Sequence, residues 1–276
     1  MIRRGAPFLA LVVLLAAGCG GGGDARKVLS QTASSLGDIH SGDLTMRLVV
    51  SPRKGTRGRI GFELHGPFAI KPGGLPVAKI AYTQIAGSRQ ATATLISTGV
   101  KAYAEVNGKT YELPANSTNV LRQAAAGVGG GQGLGELRID DWLEHPKVSG
   151  GGKVGGADTD HVTADLDVVA AANDLLALVR RLGRAAPTIE GRSADQLRHA
   201  VRSSSIDVWS GKDDHLLRRL RLKVDLGFDV PDTLKRALGD VVGAKVDFDL
   251  AISAPNKTVS VPPPVNALPP SALPGG

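Results

Sequence analysis

The stretch LLRRLRLKVDL, residues 216–226, alternates between apolar and charged side chains. The apolar parity is interrupted only by Arg218, and its members are Leu216, Leu220, Leu222, Val224 and Leu226. The other parity carries Arg219, Arg221, Lys223 and Asp225. A period of two predicts a β-strand with one apolar and one polar face. Sheets with one polar face are typically antiparallel, so this stretch predicts an antiparallel sheet.

The same alternation recurs along the chain. It is clearest in KVDFDLAI at 245–252, DLTMRLVV at 43–50 and RIGFELHG at 59–66. Weaker strand candidates are 78–85, 91–98, 101–106, 110–113, 158–168 and 205–210. Asn107-Gly108 is a typical type I′ hairpin turn. We therefore expect about ten strands.

Helical spacing separates some of these strands. The predicted helices are 25–36, 117–126, a short one at 139–144, 167–183, 193–201 and 231–238. Asp167 gives the fourth helix an acidic start, and Gly183 ends it. Helices that alternate with one-sided strands must cover the apolar face, which predicts an α+β fold.

The N-terminus predicts export and lipid attachment. Arg3 and Arg4 precede an apolar run that is too short to span a bilayer, which is typical of a secretory signal. The single cysteine, Cys19, follows small residues directly, and this arrangement resembles the lipobox of bacterial lipoproteins. That resemblance implies cleavage before Cys19, a diacylglycerol on its thiol and a further acyl chain such as palmitate on the new amino group. A plain leader with a chance cysteine is the alternative.

The boundaries follow from composition. Residues 1–18 are the predicted lipoprotein signal peptide, 19–24 the acylated cysteine and glycine-rich tether, 25–261 one domain, and 262–276 a proline-rich disordered tail. Without the leader the net charge falls from +7 to about +5. Charges of both signs are interspersed and no basic block carries aromatics, so nucleic acid is not an expected partner.

Four stretches together resemble a known family. They are the lipobox at Cys19, VKAYAEVNGKTYEL from Val100, GGADTDHVTADLDV from Gly155, and IDVWSGKDDHLLRRLRLKVDL from Ile206. Their order is similar to that in the LppX/LprG-type cell-envelope lipoproteins of actinobacteria, which are related in fold to the LolA/LolB lipoprotein carriers. The resemblance implies a curved antiparallel half-barrel whose concave apolar face is covered by helices.

The resemblance also implies a cavity that holds lipid or lipoglycan cargo. The candidate lining residues are Leu48, Phe62, Leu64, Ile80, Tyr82, Leu95, Tyr103, Leu175, Leu178, Trp209, Leu220, Leu222, Val224 and Phe248. Aromatic residues make up only 4% of the chain, and Leu, Val, Ile and Ala can also pack into a solid core. Sequence leaves open whether the interior is hollow or filled.

Motifs for catalysis have plainer interpretations. Gly150–Gly155 fits G-x-G-x-x-G but leads into a strand rather than a helix, so we interpret it as a flexible loop. The glycine-rich stretch from Gly127 is another loop, with a mobile flap as the alternative. Asp158 and Asp160 share one strand face while His161 lies on the other, which is poor geometry for a metal, so solvated residues are expected.

We therefore expect no catalytic residues, metal or cofactor, and no enzyme. The leading hypothesis is a monomeric lipoprotein, anchored through Cys19 to the outer face of the cytoplasmic membrane, that binds lipids and carries them within the envelope. The alternative is a structural or protein-interaction lipoprotein with a solid core and no cargo.

Overall fold

The computed structural model describes residues 22–54, 58–71, 73–129, 138–181, 185–227 and 242–273. The four helices are α1 (Gly22–Ser34), α2 (Ala115–Gly129), α3 (Val168–Arg181) and α4 (Arg192–Ala200). The strands are β1 (Ser41–Pro52), β2 (Ile60–Ala69), β3 (Val77–Ala86), β4 (Arg89–Thr98), β5 (Ala102–Val106), β6 (Lys109–Glu112), β7 (Leu143–Val154), β8 (Ala157–Leu166), β9 (Val201–Gly211), β10 (Leu217–Gly227) and β11 (Gly243–Ser253). Short 3₁₀ helices lie at Leu36–Asp38, Ile139–Trp142 and Pro270–Ala272.

The strands form one curved, unclosed sheet in the order β6-β5-β4-β3-β2-β1-β11-β10-β9-β8-β7. Every pairing between neighbouring strands is antiparallel. The first and last strands in sequence order, β1 and β11, lie side by side in the middle. Each half of the chain therefore builds one wing of the sheet. The predicted α+β fold with a one-sided antiparallel sheet is confirmed, with eleven strands instead of about ten.

The missed strand is β7, which replaces both the loop predicted at Gly150–Gly155 and the end of the short helix predicted at 139–144. Only the turn at Gly155 and Gly156, with φ of 58° and 86°, lies outside the strand. A Cβ at Gly151 would lie 2.4 Å from Thr159 Oγ1 and 2.9 Å from Trp209 Cδ1. Gly151 is therefore a site of close approach by neighbouring side chains in a strand, which glycine permits despite its low strand preference.

Local signals placed several other elements correctly. Asn107 and Gly108 have φ of 51° and 73°, as a type I′ turn requires. Asp167 caps α3, because its Oδ1 accepts hydrogen bonds from the backbone N–H groups of Val169 and Ala170 at 2.9 and 3.0 Å.

The predicted helix at 231–238 lies outside the described residues, as do the signal peptide and Cys19. Residues 22–24, predicted as tether, form the first turn of α1 instead.

The proline-rich tail was predicted to be disordered, and that prediction is wrong as far as residue 273. Leu268 forms a parallel bridge to Tyr111 in β6. The Leu268 N–H donates to the Thr110 carbonyl at 2.8 Å, and the Glu112 N–H donates to the Leu268 carbonyl at 2.9 Å. Proline cannot donate to a sheet, but the leucine among the prolines can, and an edge strand needs only one such partner.

Candidate functional site

One face of the sheet is apolar from wing to wing. A single row of cross-strand neighbours crosses eight strands: Val162, Val208, Leu220, Leu250, Met46, Leu64, Tyr82 and Ala93. We call the side of the sheet that carries this row the apolar face. Ten of the predicted cavity residues lie on it: Leu48, Phe62, Leu64, Ile80, Tyr82, Leu95, Leu220, Leu222, Val224 and Phe248.

Helix α1 covers the wing formed by β7, β8 and β9. Leu29 of α1 is 2% exposed and belongs to one hydrophobic cluster with Val162, Val208 and Leu220, of which Leu220 is 4% exposed. This wing of the apolar face is a packed core, and we call it the covered half.

A buried polar contact fixes α1 to the sheet. The hydroxyls of Thr32 and Ser210 are 2.7 Å apart, and the Thr32 hydroxyl also donates to the Val28 carbonyl at 2.8 Å. Both side chains are almost fully buried. A buried hydroxyl pair restricts α1 to one register against β9, because sliding would leave polar atoms without partners.

The other wing, formed by β1 to β5, differs in exposure. Met46, Leu64 and Leu95 are partly exposed, and Tyr82 is 42% exposed. The Phe62 and Tyr82 rings stack, with centroids 6.2 Å apart and an interplanar angle of 27°. We call this wing the open half: its side chains match those of the covered half in polarity but are not buried to the same extent.

Four predicted cavity residues do not belong with the ten. Trp209 and Tyr103 lie on the opposite, polar face, since Trp209 pairs with Arg219 and His161, and Tyr103 with Ile96 and Glu112. Leu175 of α3 is 43% exposed. The side chain of Leu178 is outside the described set. The alternation in the strand already placed Trp209 on the face opposite the proposed cavity, because its neighbour Val208 lies on the apolar face.

Trp209 instead centres a charged cluster on the polar face. Its ring stacks on the His161 ring, with centroids 4.3 Å apart and planes 5° from parallel. His161 Nε2 lies 2.9 Å from Asp207 Oδ1. The guanidinium groups of Arg219 and Arg221 lie 5.5 and 5.7 Å from the Trp209 ring centroid. His161 was expected to be a solvated residue, but its ring is partly buried, stacked on Trp209 and in contact with Asp207.

Asp249 joins this cluster. Arg219 donates to it through Nε at 2.9 Å, and Arg221 through Nη2 at 3.4 Å. Burial raises the pKa of the Asp249 carboxyl, but the hydrogen bonds and charges of the two arginines outweigh burial and lower the pKa below its ordinary value. The arginines are thus held by a carboxylate and a ring, as expected of structural ion pairs.

Cavities along the described segments have charged side chains in their lining. One of about 440 Å³ is lined by Ser203–Ser205, Lys223–Asp225 and Lys245–Asp247, and one of about 300 Å³ by Arg47, Arg221, Lys223 and Asp247–Asp249. A third, of about 230 Å³, lies between β5, β6 and α2. Among the described residues no group of three His, Cys, Asp or Glu side chains could hold a metal, and no helix has the length and hydropathy needed to cross a bilayer.

The predicted set of lining residues left out several members of the apolar face. They are Met46, Ile60, Val162, Ile206, Val208 and Leu250. All lie in strands that the alternation had found, so parity alone could have added them. The sequence does not indicate which of these positions are covered by α1.

The coordinates define the class: an α+β protein with one open antiparallel sheet, apolar on one face and partly covered by helices. No protein-family model matches the sequence, and no curated protein matches it significantly. Among solved structures, the chain is similar to the crystal structure of LprF from Mycobacterium bovis, with 13% identity and a TM-score of 0.48, over 89% of this chain and 99% of that one.

The curved antiparallel sheet with helices on one face, which the resemblance implied, is the arrangement that the coordinates have. A similarity of this size carries no information on ligand or activity.

Proposed function

We propose that this protein is a lipid-anchored, non-enzymatic lipoprotein of the cell envelope that binds the acyl chains of a lipid or lipidated molecule on the open half of its sheet. One observation carries the proposal. Along a single row of the apolar face, exposure rises from 0% at Val162 and Val208 to 42% at Tyr82. Exposed apolar area of this kind, continuous with a core, marks a binding surface.

Acyl chains suit this surface chemically. The open half offers leucine, isoleucine, methionine and one stacked aromatic pair, and Gln84, opposite Phe62, is a polar side chain on the same face. Each CH₂ group that moves from water into apolar surroundings contributes about 0.8 kcal/mol. A long chain can therefore bind tightly along these strands with little specificity for its headgroup.

The anchor is the second part of the proposal. Acylated Cys19 would hold the protein at the outer face of the cytoplasmic membrane, since two acyl chains anchor a protein firmly where one does not. Cys19 precedes α1 by only a few residues, and α1 is fixed to the sheet by Thr32 and Ser210. Replacement of Cys19 by serine should move the protein from the membrane fraction to the soluble fraction. Retention in the membrane would contradict acylation at this residue.

The cargo is tested with the mature chain from residue 19 carrying Cys19→Ser. Native mass spectrometry of this protein, expressed in a bacterial host, should show co-purifying lipid, and the delipidated protein should bind a fluorescent fatty acid. Two neighbouring residues of β4 provide a matched pair: Leu95 lies on the apolar face and Thr94 on the polar face, and both are partly exposed. Leu95→Asn should weaken fatty-acid binding about tenfold or more, because it replaces apolar contact with an amide.

Thr94→Asn introduces the same amide on the other face and should leave fatty-acid affinity unchanged. Equal effects of the two variants, or no lipid on the purified protein, would count against acyl binding on the open half.

The second candidate function is a structural or interaction lipoprotein without cargo. It is favoured by the covered half, where Leu29 of α1 packs in one cluster with Val162 and Val208 and leaves a solid core. Under this candidate the open half would dock another protein.

A further inference from the structure

The topology brings three hairpin tips to one end of the sheet. β1–β2, β3–β4 and β5–β6 are consecutive antiparallel pairs, so their connections all lie at the same end. The described residues of these tips include Lys54 and Arg59 after β1, Arg89 at the start of β4 and Lys109 at the start of β6. We call these four residues the basic rim.

The basic rim carries four positive charges. All four side chains are exposed, and within the described part of the chain none of them forms an ion pair. The described tips contain a single acidic neighbour, Glu105 on β5. The contrast with nearby Arg53 is instructive, because Arg53 is paired with Asp225 and belongs to the sheet rather than to the rim.

An exposed apolar residue lies within the rim. Ile60, the first residue of β2, is 60% exposed and directly follows Arg59. It pairs with Val50 and Ala86, so it lies on the apolar face at the end of the open half. The open half therefore reaches the rim without an intervening polar strand.

The start of α1 lies at the same end. Ala25 belongs to the cluster that contains Ile139 and Trp142, next to the start of β7, whereas Thr32 contacts Ser210 at the other end of the sheet. The register from β7 through β11 to β1 places Leu143 and Leu166 at the end where Val50 and Ile60 lie. The chain thus enters the fold on the rim side.

We infer that the basic rim docks this protein on an anionic lipid bilayer, with the hairpin tips toward the headgroups and Ile60 at the interface. Exposed cations are attracted by the negative potential of such a surface, and an apolar residue among them adds partition into the interface. This orientation presents the end of the open half to the membrane. The docking itself does not depend on acyl binding by the open half.

Vesicle co-sedimentation of the mature chain with Cys19→Ser tests the rim without the anchor. The protein should bind vesicles that contain phosphatidylglycerol more tightly than pure phosphatidylcholine vesicles. Binding should weaken between 0.1 and 1 M salt, because the screening length falls from about 10 to about 3 Å. The triple variant Lys54→Gln, Arg59→Gln, Arg89→Gln should lose about 100-fold in partition, from a factor of about five for each cation.

The matched control removes three cations from the opposite end of the sheet, with Lys71→Gln, Lys212→Gln and Lys257→Gln. These residues are exposed, and the control has the same net charge as the rim variant. It should keep binding within about twofold. Equal losses of vesicle binding in the two triple variants would show that net charge alone accounts for binding, and would overturn docking through the basic rim. Equal binding to both kinds of vesicle, or none to either, would also overturn it.

Orientation is read from a fluorophore on a single cysteine, which is possible because Cys19 is the only native one. A polarity-sensitive label at Ser88→Cys, in the β3–β4 tip, should shift to the blue on anionic vesicles. The same label at Asp213→Cys, in the β9–β10 turn at the other end, should not shift. The reverse result would overturn the orientation. Fatty-acid binding by the rim variant should stay at the wild-type value, which separates failure of docking from failure of the proposed cargo binding.

Discussion

A matched pair of leucines tests whether the two halves of the apolar face differ as described. Leu220 and Leu64 lie in the same cross-strand row, separated by Leu250 and Met46. Leu220 is 4% exposed in the cluster beneath α1, whereas Leu64 is partly exposed beside Tyr82. The same substitution, Leu→Ala, is made at each position in delipidated protein.

The expected costs differ by more than the error of the measurement. Removal of a fully buried leucine side chain costs about 2–5 kcal/mol, because the lost transfer free energy adds to that of the cavity left behind. At Leu64 part of the side chain is already in water and little cavity forms, so we expect about 1 kcal/mol. For a chain of this size each kcal/mol lowers Tm by about 2–4 °C.

The assay is urea unfolding followed by tryptophan fluorescence, with Trp142, which is 1% exposed, as a reporter in the covered half. Saturating fatty acid at 100 times its Kd should add about 2.7 kcal/mol to wild type and to Leu220→Ala, and less to Leu64→Ala. If Leu64→Ala costs as much as Leu220→Ala without ligand, the open half is packed and the distinction between the halves is wrong. Similar m-values in all three proteins serve as the control.

Three further predictions address the rest of the fold. Thr32→Val should lower the free energy of unfolding by about 1–3 kcal/mol, because it leaves the buried Ser210 hydroxyl without its partner, and restoration by Thr32→Ser would separate lost hydrogen bonding from lost packing. Asp249→Asn should destabilise the protein at neutral pH. The folded-state pKa of Asp249 is lowered, so the stability that Asp249 contributes is present above its unfolded pKa and is lost as pH falls through the folded pKa. The urea midpoints of the variant and the wild type should therefore converge in acid. A constant gap between the two midpoints would contradict the ion pair with Arg219. Deletion of 262–276 should uncover the edge of β6 and promote self-association by size-exclusion chromatography, whereas a monomer of unchanged stability would show that the tail protects nothing.

Period-two alternation predicted most of the sheet because it depends on nothing beyond the strand itself. The 216–226 and 245–252 stretches appear as β10 and β11, with every assigned face correct outside the irregularity at Leu217–Arg219. β7 was not predicted because its glycines carry no alternation. The need for glycine at Gly151 comes from side chains of other strands, Thr159 and Trp209. The position of the proline-rich tail was not predicted, because a single leucine, Leu268, makes the hydrogen bonds that attach the tail to the edge strand β6.

The candidate site divides in the same way. Parity was sufficient to place ten of the predicted lining residues on one face. It was not applied to Trp209 and Tyr103, which lie on the other face. The size and polarity of a side chain do not determine on which face of the sheet it lies. In a strand, the face is determined by register.

By itself, the sequence determined the class of the fold, most of the hairpins and the apolar side of the clearly alternating strands, since propensity, turn chemistry and alternation act over a few residues. Only the tertiary structure decided which part of that apolar side is covered. Leu220 and Leu64 are the same residue in the same pattern, and they differ because α1 packs over one wing of the sheet and not over the other. Burial is a property of what lies across from a residue, and no local pattern in the chain contains that partner.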